Sequence, residues 1–237
     1  MTVTTLAVRD VVGATPRTRL LRLDLGDAPF AYAAGQAVMV GLHGSPLRKP
    51  YSIASAPTET ARTGWLELLV QIDNSGSPDP HLELAMPGTA IDVEGPFGQF
   101  GLPPTLGDGL LMVAGGTGIA PLRSMLVDAL ARPGEAPAVS VVYSARAAEE
   151  LAYRDELERL AEAHRLRLWC TVTREPSGGW PGRRGRIDQA LLAEALPAAG
   201  AACCVCGPPA FVAGVTSGLH ALGVPEARIV VERYGEP

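Results

Sequence analysis

The stretch that decides the fold is Leu110-Leu111-Met112-Val113-Ala114-Gly115-Gly116-Thr117-Gly118-Ile119-Ala120-Pro121-Leu122. Leu110 to Ala114 is an apolar run of the length of a strand buried on both faces. Gly115, Gly116 and Gly118 interrupt it. Pro121 follows, a favoured first helical residue because its missing N–H would have no acceptor there. Strand, glycine turn and helix start, in that order, make an anion site. Backbone N–H groups converge, the helix dipole is positive at that end, and absent side chains admit a phosphate. The spacing is not G-x-G-x-x-G, because Pro121 stands where the third glycine would be.

Downstream, apolar runs alternate with helical segments. The pattern predicts helix Pro121–Ala131, strand Val139–Ser144, helix Tyr153–His164, strand Leu166–Val172, helix Ile187–Leu196, strand Ala202–Gly207, helix Pro209–Leu222 and strand Ile229–Glu232. With Leu110–Ala114 these make a five-stranded parallel doubly wound sheet over residues 109–237, with ligands at the carboxyl ends of its strands.

Upstream the texture is antiparallel β. Leu21, Leu23 and Leu25 alternate with Arg22 and Asp24, and Leu66, Leu68 and Val70 oppose Glu67 and Gln71. Ile91 to Glu94 alternates briefly, and Gly- and Pro-rich turns separate these runs. Short strands so spaced, with no helical stretch among them, predict a small closed barrel over residues 1–104. The Pro- and Gly-rich link Pro103 to Gly109 separates the two domains.

Composition narrows the class. Hydrophobic residues are 47% of the 237 but aromatics only 5%, so the core is built of Ala, Val, Leu and Ile. A formal charge of -5 argues against non-specific nucleic-acid binding. No apolar run approaches the roughly 20 residues of a membrane span, so no membrane partner is expected. The opening Met-Thr-Val-Thr-Thr-Leu-Ala-Val-Arg-Asp lacks a basic n-region and an apolar h-region, which predicts a cytoplasmic location. Cys170, Cys203, Cys204 and Cys206 are too few and too clustered for a disulfide scaffold, and with no histidine at ligand spacing no metal site is expected.

Four motifs then fall in one order. Lys49-Pro50-Tyr51-Ser52-Ile53-Ala54-Ser55 resembles an R-x-Y-S flavin motif, and Gly115-Gly116-Thr117-Gly118-Ile119-Ala120-Pro121 a pyridine-nucleotide loop. Cys206-Gly207-Pro208-Pro209 resembles a C-G-P-P motif, and Glu232-Arg233-Tyr234 an acidic–aromatic end. On these the chain resembles the ferredoxin–NADP reductase family over nearly its whole length.

The resemblance implies FAD on an N-terminal antiparallel Greek-key barrel and NAD(P) on the C-terminal sheet. Tyr51 would pack on the isoalloxazine and Ser52 would offer its hydroxyl to flavin N5. The family's arginine falls on Lys49, with Arg48 beside it and Pro50 following; lysine keeps the charge but not the planar fork. Val70 and Gln71 also fall to the flavin side, as do Gly76 and Ser77, while Asp79 replaces an expected Ser or Thr and would repel a diphosphate. Gly116, Thr117 and Gly118 would cradle the NAD(P) diphosphate, flanked by Pro121, Gly207 and Pro208. The second strand ends at Arg146 without an acidic residue, and Thr173-Arg174 closing the third resembles a 2′-phosphate site. NADP(H) is therefore favoured over NAD(H). Cys206 would sit near nicotinamide C4, with Glu232 and Tyr234 completing the catalytic set around Ser52.

The implied activity is hydride transfer from NAD(P)H to FAD, then release of single electrons to a separate ferredoxin, flavodoxin or oxygenase component. Two alternatives stay open. One is a reductase of free flavin, towards which Lys49 and Asp79 lean; the other is an electron-transfer subunit of a larger redox complex.

Overall fold

A computed structural model describes residues 3–72, 80–132, 137–174 and 179–235. Gly76, Ser77 and Asp79 lie outside the described residues. The chain divides into two compact units, Met1–Gly101 with Arg123–Ala131, and Leu102–Leu122 with Arg132–Pro237.

The first unit is a six-stranded antiparallel sheet of β1 (Val3–Thr15), β2 (Thr18–Asp24), β3 (Ala37–Leu42), β4 (Lys49–Ser52), β5 (Trp65–Gln71) and β6 (Ala90–Phe97). The strand order is β4-β3-β6-β1-β2-β5. A single bridge, Ile53 to Leu68, joins its two edges and closes the barrel, and the Ala54 N–H donates to Glu67 O beside it at 2.8 Å. The alternation read from the sequence puts Leu21, Leu23, Leu66, Leu68 and Val70 inside, all fully buried. On the opposite face Arg22 lies in register with Glu67, Nε to Oε2 at 2.8 Å, so this carboxylate is buried as well.

The expected absence of helix here is corrected by α1 (Pro57–Thr63). Seven residues with only Thr60 buried show no apolar periodicity, so its signals are terminal: Pro57 in the first turn and Glu59, whose Oε2 accepts the Ala56 N–H at 2.9 Å.

The second unit is parallel: β7 (Leu110–Gly115), β8 (Val139–Ala145), β9 (Arg167–Val172), β10 (Arg183–Arg184), β11 (Ala202–Gly207) and β12 (Ile229–Arg233), in the order β10-β9-β8-β7-β11-β12. Every residue of β7, β8 and β11 is buried, as continuous apolar runs require. The two-residue edge strand β10 is added to the five expected; two arginines carry no strand signal. The helices are α2 (Ile119–Ala131), α3 (Arg154–Glu162), α4 (Gln189–Ala195) and α5 (Pro209–Ala221). α2 starts earlier than the proline suggests, after a 3-10 turn at Gly116–Gly118. Pro121 is its third residue, still among the first four whose N–H would find no helical acceptor.

Candidate functional site

In the second unit β7 and β11 run side by side, with Ala114 opposite Cys206, and each ends on a glycine. Gly116 takes φ +56, a left-handed conformation that a side chain disfavours. A Cβ on Gly118 would strike the carbonyl oxygen of Cys206. The turn lies against the end of β11 only because it lacks side chains, and it opens at the N-terminus of a 13-residue helix. That cradle fits the diphosphate of a dinucleotide.

Cys206 is 1% exposed. Glu232 stands in register with it on β12, and the thiol donates to Glu232 Oε2 at 3.8 Å. Burial first, then the Glu232 charge and hydrogen bond, push the thiol pKa well above its ordinary value. Tyr234 follows one residue past β12. Its N–H donates to Gly207 O at 3.3 Å, and its hydroxyl donates to Gly115 O. A Cβ on Gly116 would come within 2.9 Å of that hydroxyl, so the phenol rests on the glycine turn. Burial raises its pKa against the opposing hydrogen bonds at Thr117 and Gly118. Pro208 is the exposed residue capping α5.

The chain beyond β8 and β9 brings three polar residues of the sequence reading to one edge. Arg174 N–H donates to Arg146 O at 2.7 Å, and Thr173 donates to Ala145 O through its N–H at 3.0 Å and Oγ1 at 3.3 Å. Arg146, Thr173 and Arg174 are all exposed. Arg183 and Arg184 pair beside Thr171 and Val172, but Arg183 reaches Glu194 at 3.3 Å and Arg184 donates to Trp180 O at 2.8 Å.

In the first unit Lys49, Pro50, Tyr51 and Ser52 are β4, paired with Val40, Met39, Val38 and Ala37. Tyr51 packs partly against the barrel core, and Ser52 is half-buried. Arg48 is engaged by two carboxylates, Glu94 at 3.1 Å and Asp92 at 3.4 Å. Asp92 also accepts from His43 Nδ1 and Thr5 Oγ1, each at 2.8 Å, and these bonds hold its carboxyl down at about 2. Val70 is fully buried among the core residues, leaving only its backbone to a ligand, while Gln71 is exposed.

Sequence reasoning missed a polar network in the same unit. Arg123 holds Glu59 in a two-pronged pair, Nη1 to Oε2 at 2.8 Å and Nη2 to Oε1 at 3.0 Å, and Nη1 also donates to Ala54 O at 2.9 Å. Burial alone would raise the Glu59 carboxyl, but the Arg123 bonds and charge and the Ala56 N–H hold it below its ordinary value. The available signal was an arginine two places past Pro121 in a helix otherwise apolar around it.

Among the described residues no helix is long and apolar enough to cross a membrane, and no group of three or more His, Cys, Asp or Glu gathers to hold a metal ion.

Residues 5–101 match the family described as "Oxidoreductase FAD-binding domain", and residues 112–217 match "Oxidoreductase NAD-binding domain". The chain is 36% identical over 234 residues to ferredoxin–NADP reductase B of Sorangium cellulosum, covering 93% of each. It is 28% identical over 208 residues to NADH-cytochrome b5 reductase 1 of Dictyostelium discoideum, covering 87% of this chain and 71% of that one. A solved cytochrome P450 reductase from Amycolatopsis superimposes with a TM-score of 0.83 at 28% identity, covering 98% of this chain and 70% of the other.

Proposed function

Since the chain belongs to the ferredoxin–NADP reductase family of NAD(P)H-dependent FAD oxidoreductases, we propose that it oxidises NADPH and passes single electrons to a separate carrier protein, ferredoxin or flavodoxin. The observation that carries this reading is the edge where Arg146, Thr173 and Arg174 meet through the Arg174 N–H to Arg146 O bond. Two exposed guanidinium groups and a hydroxyl at the carboxyl ends of adjacent strands suit a 2′-phosphate, and an acidic ribose ligand would suit NADH. The name of the Sorangium relative supports the same coenzyme and carrier.

FAD, when bound, would supply the redox chemistry, that of a two-electron acceptor able to pass electrons on singly. The protein's part is positioning. Tyr51 offers an aromatic face and Ser52 a hydroxyl from β4, with Lys49, Pro50, Gln71 and the backbone at Val70 on the flavin side. Gly116, Thr117 and Gly118 hold the coenzyme diphosphate with backbone N–H groups, beside Pro121, Gly207 and Pro208. Cys206, kept as a neutral thiol by burial and Glu232, gives the nicotinamide a small uncharged neighbour. Tyr234 must withdraw its hydroxyl from the glycine turn before that site is fully open.

The test is the purified, FAD-loaded chain mixed anaerobically with NADPH or NADH, followed by transfer to ferredoxin, flavodoxin or free FMN. Faster flavin bleaching with NADPH, and reoxidation by a carrier protein, is expected. Faster reduction by NADH, or reoxidation by free flavin alone, overturns it. A second reading, reduction of free flavin, is favoured by one observation: Arg48 is already neutralised by Asp92 and Glu94. Under that reading the chain leaves a desalting column colourless.

A further inference from the structure

β4 is a four-residue strand at the edge of its sheet, with a ladder to β3 on one side only. Its position therefore depends on what holds residues 53–56, which follow it. Ile53 N–H donates to Gln36 O at 2.9 Å and Ala54 N–H to Glu67 O at 2.8 Å. Ser55 Oγ accepts from Thr60 Oγ1 at 3.0 Å and from the Glu67 N–H at 3.1 Å. Ser55 O accepts from Tyr32 at 2.9 Å and from Ser124 Oγ at 2.7 Å. Ala54 O accepts from Arg123, and the Glu59 carboxylate joins Arg123 to the Ala56 N–H. Every residue in this network belongs to the first unit.

Arg123 grips the segment at Ala54 O with its guanidinium and is itself held by Glu59, whose carboxylate takes the Ala56 N–H. The arginine is 9% exposed, and a buried ion pair adds little net stability over apolar residues of the same size. What it does supply is direction: a planar fork satisfied by a carboxylate and a carbonyl fixes both partners in one geometry. A lysine keeps the charge but cannot make the same set of bonds in one plane.

We propose that Arg123 is a positioning residue for flavin reduction: clamped between Glu59 and Ala54 O, it sets residues 53–56 and through them Tyr51 and Ser52. This rests on the reading of Tyr51 and Ser52 as flavin contacts. Misplacing a reacting contact by about 1 Å is enough to cost roughly a hundredfold in rate, so a small slip of β4 has a large effect.

The experiment uses the full FAD-loaded chain with NADPH and ferricyanide, and compares Arg123→Lys, Glu59→Gln, Ser52→Ala and the double variant Arg123→Lys/Ser52→Ala. Kcat, the NADPH KM, the flavin absorption spectrum, FAD affinity by fluorescence quenching and the thermal midpoint are read for each. Arg123→Lys should lower kcat about tenfold, with the NADPH KM within about twofold and an altered flavin spectrum. Glu59→Gln should act in the same direction and carries the test if Arg123→Lys does not fold. The double variant should lose less than the product of the two single losses, because both changes act through the same strand. A lower thermal midpoint with kcat and spectrum unchanged, while Ser52→Ala loses activity, overturns the positioning role alone, as do multiplied losses in the double variant. If Ser52→Ala changes neither kcat nor spectrum, the flavin-strand reading fails and takes the proposal with it.

Discussion

Glu232 stands in register beside Cys206 on the neighbouring parallel strand, with its Oε2 3.8 Å from the thiol sulfur. Burial and then this carboxylate oppose thiolate formation, so Cys206 is an S–H donor of small size and not a nucleophile. In the folded chain at about pH 8 it should resist iodoacetamide. Cys170, half-buried and pushed up to about 11 by burial, should react first. Glu232→Gln should speed Cys206 labelling severalfold, read by peptide mass mapping. Equal rates would show that burial alone governs the thiol.

Tyr234→Phe keeps the ring but deletes the hydroxyl's hydrogen bonds to Gly115 O and at Thr117 and Gly118. One such bond is worth about 0.5–1.5 kcal/mol net, so NADPH should bind about two- to tenfold more tightly. Equilibrium titration of the variant checks this. Weaker binding would mean that the hydroxyl supports the turn and does not occupy it.

Arg174→Ala should raise the NADPH KM and leave that of NADH nearly unchanged. A lost charge-assisted bond of about 1.5–3 kcal/mol corresponds to roughly ten- to a hundredfold. Arg146→Ala should act in the same direction, since the two residues share one edge through their backbones. Equal losses with both coenzymes would remove Arg174 from the 2′-phosphate.

Asp92 faces Thr5, His43, Gly44 and Arg48, and Arg48 is shared with Glu94. Its folded carboxyl titrates at about 2 against an ordinary 3.8. A depressed acid adds stability that is fully present above the ordinary value and is lost as the pH falls through the folded one. Thermal melts should show the barrel weakening between pH 3.8 and about 2. Asp92→Asn should melt lower at neutral pH and show a flatter acid limb. An acid limb as steep as wild type would assign the effect to other carboxylates.

Much of this was legible because it is local. Leu110 to Ala114 announces a buried strand, three glycines announce the turn, and Leu21, Leu23, Leu66 and Leu68 face inward as their period of two demands. α1 escaped because seven residues with one buried side chain have no period to read. Arg123 escaped for a different reason. In a helix an arginine reads as a solvated face, and its burial comes from Glu59, a partner 64 positions away. Glu67 behaves likewise: the alternation turned it outward, and Arg22 across the ladder covers it.

The first unit is not one stretch of chain, for Arg123–Ala131 belong to it across an intervening piece of the second. A fragment cut at the Pro-rich link would lose Arg123 and Ser124, leaving Glu59 without its guanidinium and Ser55 O with one donor fewer. Recombination between relatives meets the same restriction. A graft that brings in a foreign nucleotide-binding half, with its own helix after the glycine turn, also replaces part of the barrel's polar network. Glu59 and Arg123 should thus be inherited together, and chimaeras with a crossover between residues 101 and 123 should melt lower unless the incoming helix restores that arginine, because Glu59 is otherwise left without its partner.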